Sequence, residues 1–134
     1  MLIGFNNDMD SVVVEVQTNM ATAYFCSNDE IIGDVWLFNI GGTPELPPWK
    51  QGGEPPYQNS KDFCYPHNIK LPILESDFRA IFSEPEDPNQ TVGIYFRGKL
   101  VGILADGWLP GKSSFAKEDS AVARKMSVQP DLPT

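Results

Sequence analysis

Residues 11–26, SVVVEVQTNMATAYFC, carry the two-residue period of a half-buried β-strand and carry it twice. Val12, Val14 and Val16 fall on one side of the first run, with Val13, Glu15 and Gln17 on the other. In the second run Ala21, Ala23 and Phe25 oppose Thr22, Tyr24 and Cys26. The intervening Thr18-Asn19-Met20 supplies a turn, so the pair reads as a β-hairpin. Neither run has a helical period.

The same grammar extends outward. After the polar turn at residues 27–30, residues 31–39 read IIGDVWLFN; Val35, Trp36, Leu37 and Phe38 are apolar on both sides, as in a central strand, and Gly33 marks a bulge or bend. Residues 91–105, TVGIYFRGKLVGILA, form a second hairpin turning at Gly98. Residues 67–73, HNIKLPI, read as a short edge strand limited by Pro72. Two stretches read instead as short helices. Over 74–83, Leu74, Phe78, Ala80, Ile81 and Phe82 allow a short amphipathic helix, with Ser76 or Glu75 near its start and Pro85 near its stop; over 113–126, Phe115, Val122 and Met126 define another, capped by Ser113 or Ser114.

Between the strand blocks lies a different kind of chain. Residues 40–66 hold six Pro and four Gly, which removes ladder donors and favours turns and polyproline II. Its Trp49, Tyr57, Phe63 and Tyr65 bring too much apolar area for a free linker. The expected fold is therefore α+β: one curved, mainly antiparallel sheet of five or six strands with one or two short helices. It forms a single globular domain over 1–126, with the 40–66 loop inside it and a flexible tail at 127–134.

Composition narrows the function. The chain has 134 residues, 18 acidic against 10 basic side chains, and a formal charge of −8. The excess is uneven: residues 1–49 contain no Lys or Arg, residues 1–96 carry −10 and residues 97–134 carry +2. Such a surface repels phosphate backbones and anionic lipid and attracts a basic protein, so nucleic acid and membrane are excluded as expected partners. No run approaches the ~18 apolar residues of a membrane span. The opening MLIGFNNDMD lacks the basic and apolar regions of a secretory signal, so a cytoplasmic location is expected, with Cys26 and Cys64 as free thiols.

Motifs for catalysis fall short. Gly107-Trp108-Leu109-Pro110-Gly111-Lys112-Ser113 has three residues where a phosphate-binding loop needs four, and Pro110 removes a donor. Cys64 and His67 are the one Cys/His neighbourhood, but a thiol nucleophile also needs an orienting group and an oxyanion donor. Asn6, Asn7, Asp8 and Asp10 imitate the start of a calcium loop and then run into valines. No cofactor, metal or catalytic residue is expected. The acid-only half and its aromatic loop nominate Asp29, Glu30, Asp34, Glu45, Trp49, Glu54 and Tyr57 as contacts for a basic protein, with aromatic anchors giving affinity and acids giving association speed.

From Gly98-Lys99-Leu100-Val101 to Asp106-Gly107, and on through Pro110-Gly111-Lys112-Ser113, Ala116-Lys117 and Asp119, the chain resembles the carboxyl-terminal part of small bacterial immunity proteins of polymorphic or contact-dependent toxin systems. The resemblance covers about a quarter of the chain. It implies a non-catalytic cytosolic inhibitor that masks a toxin domain, and it transfers no functional residue. A small hydrolase-type enzyme and a homo-oligomeric structural module are the competing expectations.

Overall fold

The computed structural model describes residues 1–47, 57–84 and 86–127. Four strands, β1 (Leu2–Asn7), β2 (Asp10–Val16), β3 (Met20–Ser27) and β4 (Glu30–Asn39), follow one another as hairpins and form an antiparallel sheet in chain order. The β2–β3 hairpin is the one read from residues 11–26. Val12 and Val14 pair with Phe25 and Ala23, and all four are buried beneath the sheet. At the β3–β4 turn Asn28 and Asp29 both adopt left-handed backbone, φ 51° and 66°, which short polar side chains tolerate and which matches strand twist. The sequence reading misses β1, whose last residues, Asn6 and Asn7, belong to the superficial calcium-loop likeness set aside above; Asp8, at φ 53°, serves as the turn into β2.

A second sheet holds β5 (Phe78–Phe82), β6 (Thr91–Phe96), β7 (Lys99–Ala105), β8 (Lys112–Ser113) and β9 (Arg124–Lys125), antiparallel except for β8 beside β9. The β6–β7 hairpin is again as read, with Arg97 and Gly98 both at positive φ in its two-residue turn. Phe38 of the first sheet lies 4.8 Å from Phe96 and 5.8 Å from Phe115, and Phe78 lies 4.9 Å from Phe96. One continuous apolar core thus joins both sheets. A Cβ on Gly102 would come within 2.5 Å of Leu37, so the sheets approach here as closely as glycine allows.

The α+β expectation is corrected: the fold is almost entirely β, in two sheets of four and five strands, and among the described residues the sole helical element is a 3-10 turn at Glu75–Asp77. Over 74–83 the pattern is too short to separate the two periods. Phe78 is buried and Ala80 and Phe82 pack against the core, while Arg79 and Ile81 point outward, so period two prevails. Over 113–126 the helix fails because Ser113, Ser114, Phe115 and Ala116 are all buried in succession, which no amphipathic helix achieves. Side-chain oxygens take backbone donors there instead: Ser113 Oγ accepts from Phe115 N–H, Ser120 Oγ from Val122 N–H, and Asp119 Oδ1 from Lys125 N–H. Residues 67–73 form no strand either. Arg97 holds them by donating to the carbonyls of Lys70 and Pro72 at 2.8 and 3.0 Å.

β4 is also not central. It ends the first sheet, and irregular chain closes its outer edge: Gly107 N–H donates to Ile32 O, Asp34 N–H to Trp108 O, Gly111 N–H to Asp34 O, and Trp36 N–H to Val122 O. The predicted bulge is present, with Ile32 unpaired where Phe25 faces Gly33 and Cys26 faces Ile31. A side chain at Gly33 would meet the Ala105 carbonyl at 2.8 Å, so glycine lets the two sheets meet at this edge.

Of the 40–66 loop, residues 48–56 lie outside the described residues, as do residues 128–134 of the expected tail. The described parts hold one ladder contact, the Cys64–Ala116 bridge.

Candidate functional site

Alternation in β3 and β4 leaves Thr22 and Tyr24 on the side away from Ala23 and Phe25, opposite Trp36 and Asp34 respectively. Tyr57, within the Pro-rich loop, and Ala121 and Val122, along the edge of β4, stand over this floor. Together they enclose a cleft of about 390 Å³, largely apolar in its walls.

Its polar groups are few. Thr22 is only 6% exposed and its Oγ1 is buried with no hydrogen-bond partner among the described residues. The Asp34 backbone is fully used at the β4 edge, but among the described residues its carboxylate meets no donor and no cation within ion-pairing distance. Burial pushes the Asp34 pKa up, since a carboxylate leaving water without a partner favours its neutral form. Burial also raises the Tyr24 pKa, helped by the charges of Glu15 and Asp34, so its hydroxyl keeps its proton at neutral pH. Glu15 is the register partner of Thr22 on β2, and residues 1–39 contain no Lys or Arg. The floor is therefore an uncompensated negative surface with aromatic borders.

The charges are less segregated than the sequence suggests. Lys112 and Arg124 lie over the Trp108 ring at 5.4 and 4.5 Å, and Trp108 is the residue whose carbonyl takes the Asp34 N–H. The basic last third thus comes up to the edge of the acidic strand without neutralising its carboxylate.

A second cavity of about 340 Å³ is bordered by Thr43, Lys61, Cys64, Tyr65, His67 and Lys117. Here the polar groups are committed. His67 Nε2 accepts from Asn39 N–H at 3.0 Å, so it carries no proton, and Nδ1 then donates to the Tyr65 carbonyl at 2.7 Å. Burial lowers the His67 pKa, which fits this neutral ring. Burial raises the Cys64 thiol to about 11, partly offset by Lys117 and by a hydrogen bond with Thr43. A thiol that stays protonated beside an imidazole with both nitrogens occupied makes no nucleophile and base.

Asn39, which the sequence reading misses, organises that side. Its Oδ1 accepts from Trp36 Nε1 at 2.8 Å and from Asn59 N–H at 3.3 Å, while its Nδ2 donates to Asn59 O at 2.8 Å and to Thr43 Oγ1 at 3.3 Å. This buried amide pins the long loop to β4, beside the His67 contact with the Asn39 backbone. Asparagine directly after an apolar strand run is the local signal, but its partners arrive from distant chain.

Of the seven nominated contacts, the structure brings Asp34 and Tyr57 together in the cleft. Asp29 and Glu30 are exposed at the β3–β4 hairpin tip. Glu45 pairs with Lys61 at 3.6 Å in solvent. Trp49 and Glu54 fall outside the described residues. Thr22, Tyr24, Trp36 and Val122 complete the cleft and are not among the nominated residues, although period two already places Thr22 and Tyr24 on one side.

The near-miss phosphate loop serves the architecture. Gly107 and Gly111 donate to β4 carbonyls and Lys112 lies over Trp108, so those groups are engaged within the fold. Among the described residues no three His, Cys, Asp or Glu side chains converge as a metal site, and no helix is long and apolar enough to cross a membrane. Comparisons with protein families, with curated proteins and with solved structures give no match for this chain.

Proposed function

We propose that the protein is a non-catalytic binding domain for a basic protein partner, acting as an inhibitor of the immunity type that covers a toxin domain. The observation that carries this reading is the half-buried Asp34 carboxylate, unpartnered among the described residues, in an aromatic-bordered cleft on a sheet without Lys or Arg. Such a group gains from an incoming cation what burial has taken from it. Asp29 and Glu30 at the neighbouring turn supply the long-range field, and Tyr57 supplies contact area; Trp49 and Glu54 join them from sequence alone. Glu45, already paired with Lys61, contributes least.

Co-purification with a toxic domain encoded beside its gene, followed by stopped-flow association over a salt series, tests this. Charge reversal at Asp29 and Glu30 should slow association several-fold at low salt, within the roughly 10–1000-fold range that steering supplies, and leave dissociation almost unchanged. Tyr57→Ala should instead speed dissociation. A complex insensitive to both sets would move the interface elsewhere. A hydrolase is disfavoured by the occupied His67 nitrogens and the raised Cys64 thiol.

A further inference from the structure

We infer that the Thr22–Tyr24–Asp34 cleft is an arginine-side-chain pocket, receiving one guanidinium of the partner on Asp34 with its aliphatic stem along Tyr57 and Val122. This rests on the reading above and names the group recognised. Three observations converge on it. The cleft offers two carboxylate acceptors on Asp34, with no protein partner among the described residues, and the Thr22 hydroxyl, which can accept as well as donate and is deeply buried with no partner among those residues. Asn59 and Ser60 also bury side-chain polar atoms without partners among the described residues, but Thr22 is the one of the three that borders a cavity, which points to a polar group brought from outside. The neighbouring Glu15 and the absence of Lys and Arg from residues 1–39 favour a positively charged group there.

The choice of guanidinium over ammonium follows from the walls. Tyr24 and Tyr57 present half-buried aromatic surface, on which a planar, weakly hydrated cation stacks well, and a carboxylate whose oxygens are unused among the described residues accepts the paired donors of that plane. A lysine ammonium keeps a tighter hydration shell and forfeits more of it in a largely apolar cleft. A cavity of about 390 Å³ holds one such side chain with a few waters.

The test is NMR titration of the intact chain with N-acetyl-arginine amide, N-acetyl-lysine amide and the neutral isostere N-acetyl-citrulline amide, reading backbone amide shifts. The expected result is saturable shifts centred on Thr22, Tyr24, Asp34 and Val122 with arginine at roughly millimolar Kd, several-fold weaker ones with lysine, and none with citrulline. Asp34→Asn should weaken arginine binding about tenfold, and Thr22→Val about threefold, each with an unchanged amide spectrum elsewhere. Glu75→Gln, an exposed acid beside the second sheet, should change nothing. Equal response to citrulline, no saturation with arginine, or an equal loss in Glu75→Gln would overturn the pocket. A toxin-domain complex that survives Asp34→Asn refutes the arginine pocket and keeps the partner; arginine binding in a protein that ignores every basic domain offered to it refutes the partner and keeps the pocket.

Discussion

The two cavities of this small β protein differ in how their polar groups are used. Around His67 the imidazole joins β4 to the loop and Asn39 makes four side-chain hydrogen bonds, although the Asn59 amide and the Ser60 hydroxyl nearby are buried without partners among the described residues. In the Asp34 cleft the carboxylate and the Thr22 hydroxyl have no partner among the described residues. Polar groups that hold a fold together are lost at the expense of stability, and groups held in readiness for a ligand weaken the fold that carries them. Cys64 and His67 attract notice in the sequence as chemistry and are bound into the architecture, whereas Asp34, nominated by charge, and Thr22, which the sequence reading passes over, form the better candidate site.

This contrast can be broken by substitution. The largest effect is expected at Asn39→Ala, which leaves the Trp36 indole and the Asn59 carbonyl short of partners in the core. A loss of about 3 kcal/mol, lowering Tm by about 10 °C, should appear in urea or thermal unfolding. An effect below about 1 kcal/mol would mean that the loop is held by other contacts.

The cavities should also titrate in opposite senses. His67 has a lowered folded pKa, so its contribution is complete above about 6.5 and declines as pH falls from there through the folded pKa, where protonation breaks the Asn39 contact. His67→Gln should remove that part of the acid slope in stability measured between pH 7.5 and 5. Asp34 has a raised folded pKa, so its contribution is full below about 3.9 and is lost as pH rises through the folded value. Asp34→Asn should therefore stabilise the protein at pH 7 while impairing ligand binding; a loss of stability there would show that the carboxylate has a partner in the fold.

Smaller effects sharpen the picture. Thr22→Val replaces an unpaired buried hydroxyl by a methyl in a central β-strand and should add about 1 kcal/mol. Glu45→Gln removes an exposed ion pair with Lys61 and should change stability by less than about 0.5 kcal/mol.

What can be read in advance follows the range of the forces involved. Val12, Val14, Ala23 and Phe25 alternate on a two-residue period that needs no knowledge of distant chain, and the two hairpins built on that period stand where expected. The 78–82 strand is ambiguous because five residues, Phe-Arg-Ala-Ile-Phe, fit either period. The segment after Lys112 escapes a local reading because Ser113, Asp119 and Ser120 divert its backbone donors, and Ser113 Oγ bonds to the Leu37 carbonyl from far away in sequence. The same distance hides most of the cleft. Charge and aromatic area nominate Asp34 and Tyr57, but Val122 reaches the rim only because its carbonyl closes the β4 edge.

That closure matters to how the protein is made. The first sheet consists of successive hairpins and can form as its strands leave the ribosome, but its last strand keeps a bare hydrogen-bonding edge until residues 107–122 have been synthesised and laid against it. Vulnerability to clumping at this edge is thus set by translation timing: a chain stopped near residue 106 should precipitate as an open template, whereas one extended through residue 122 has covered β4.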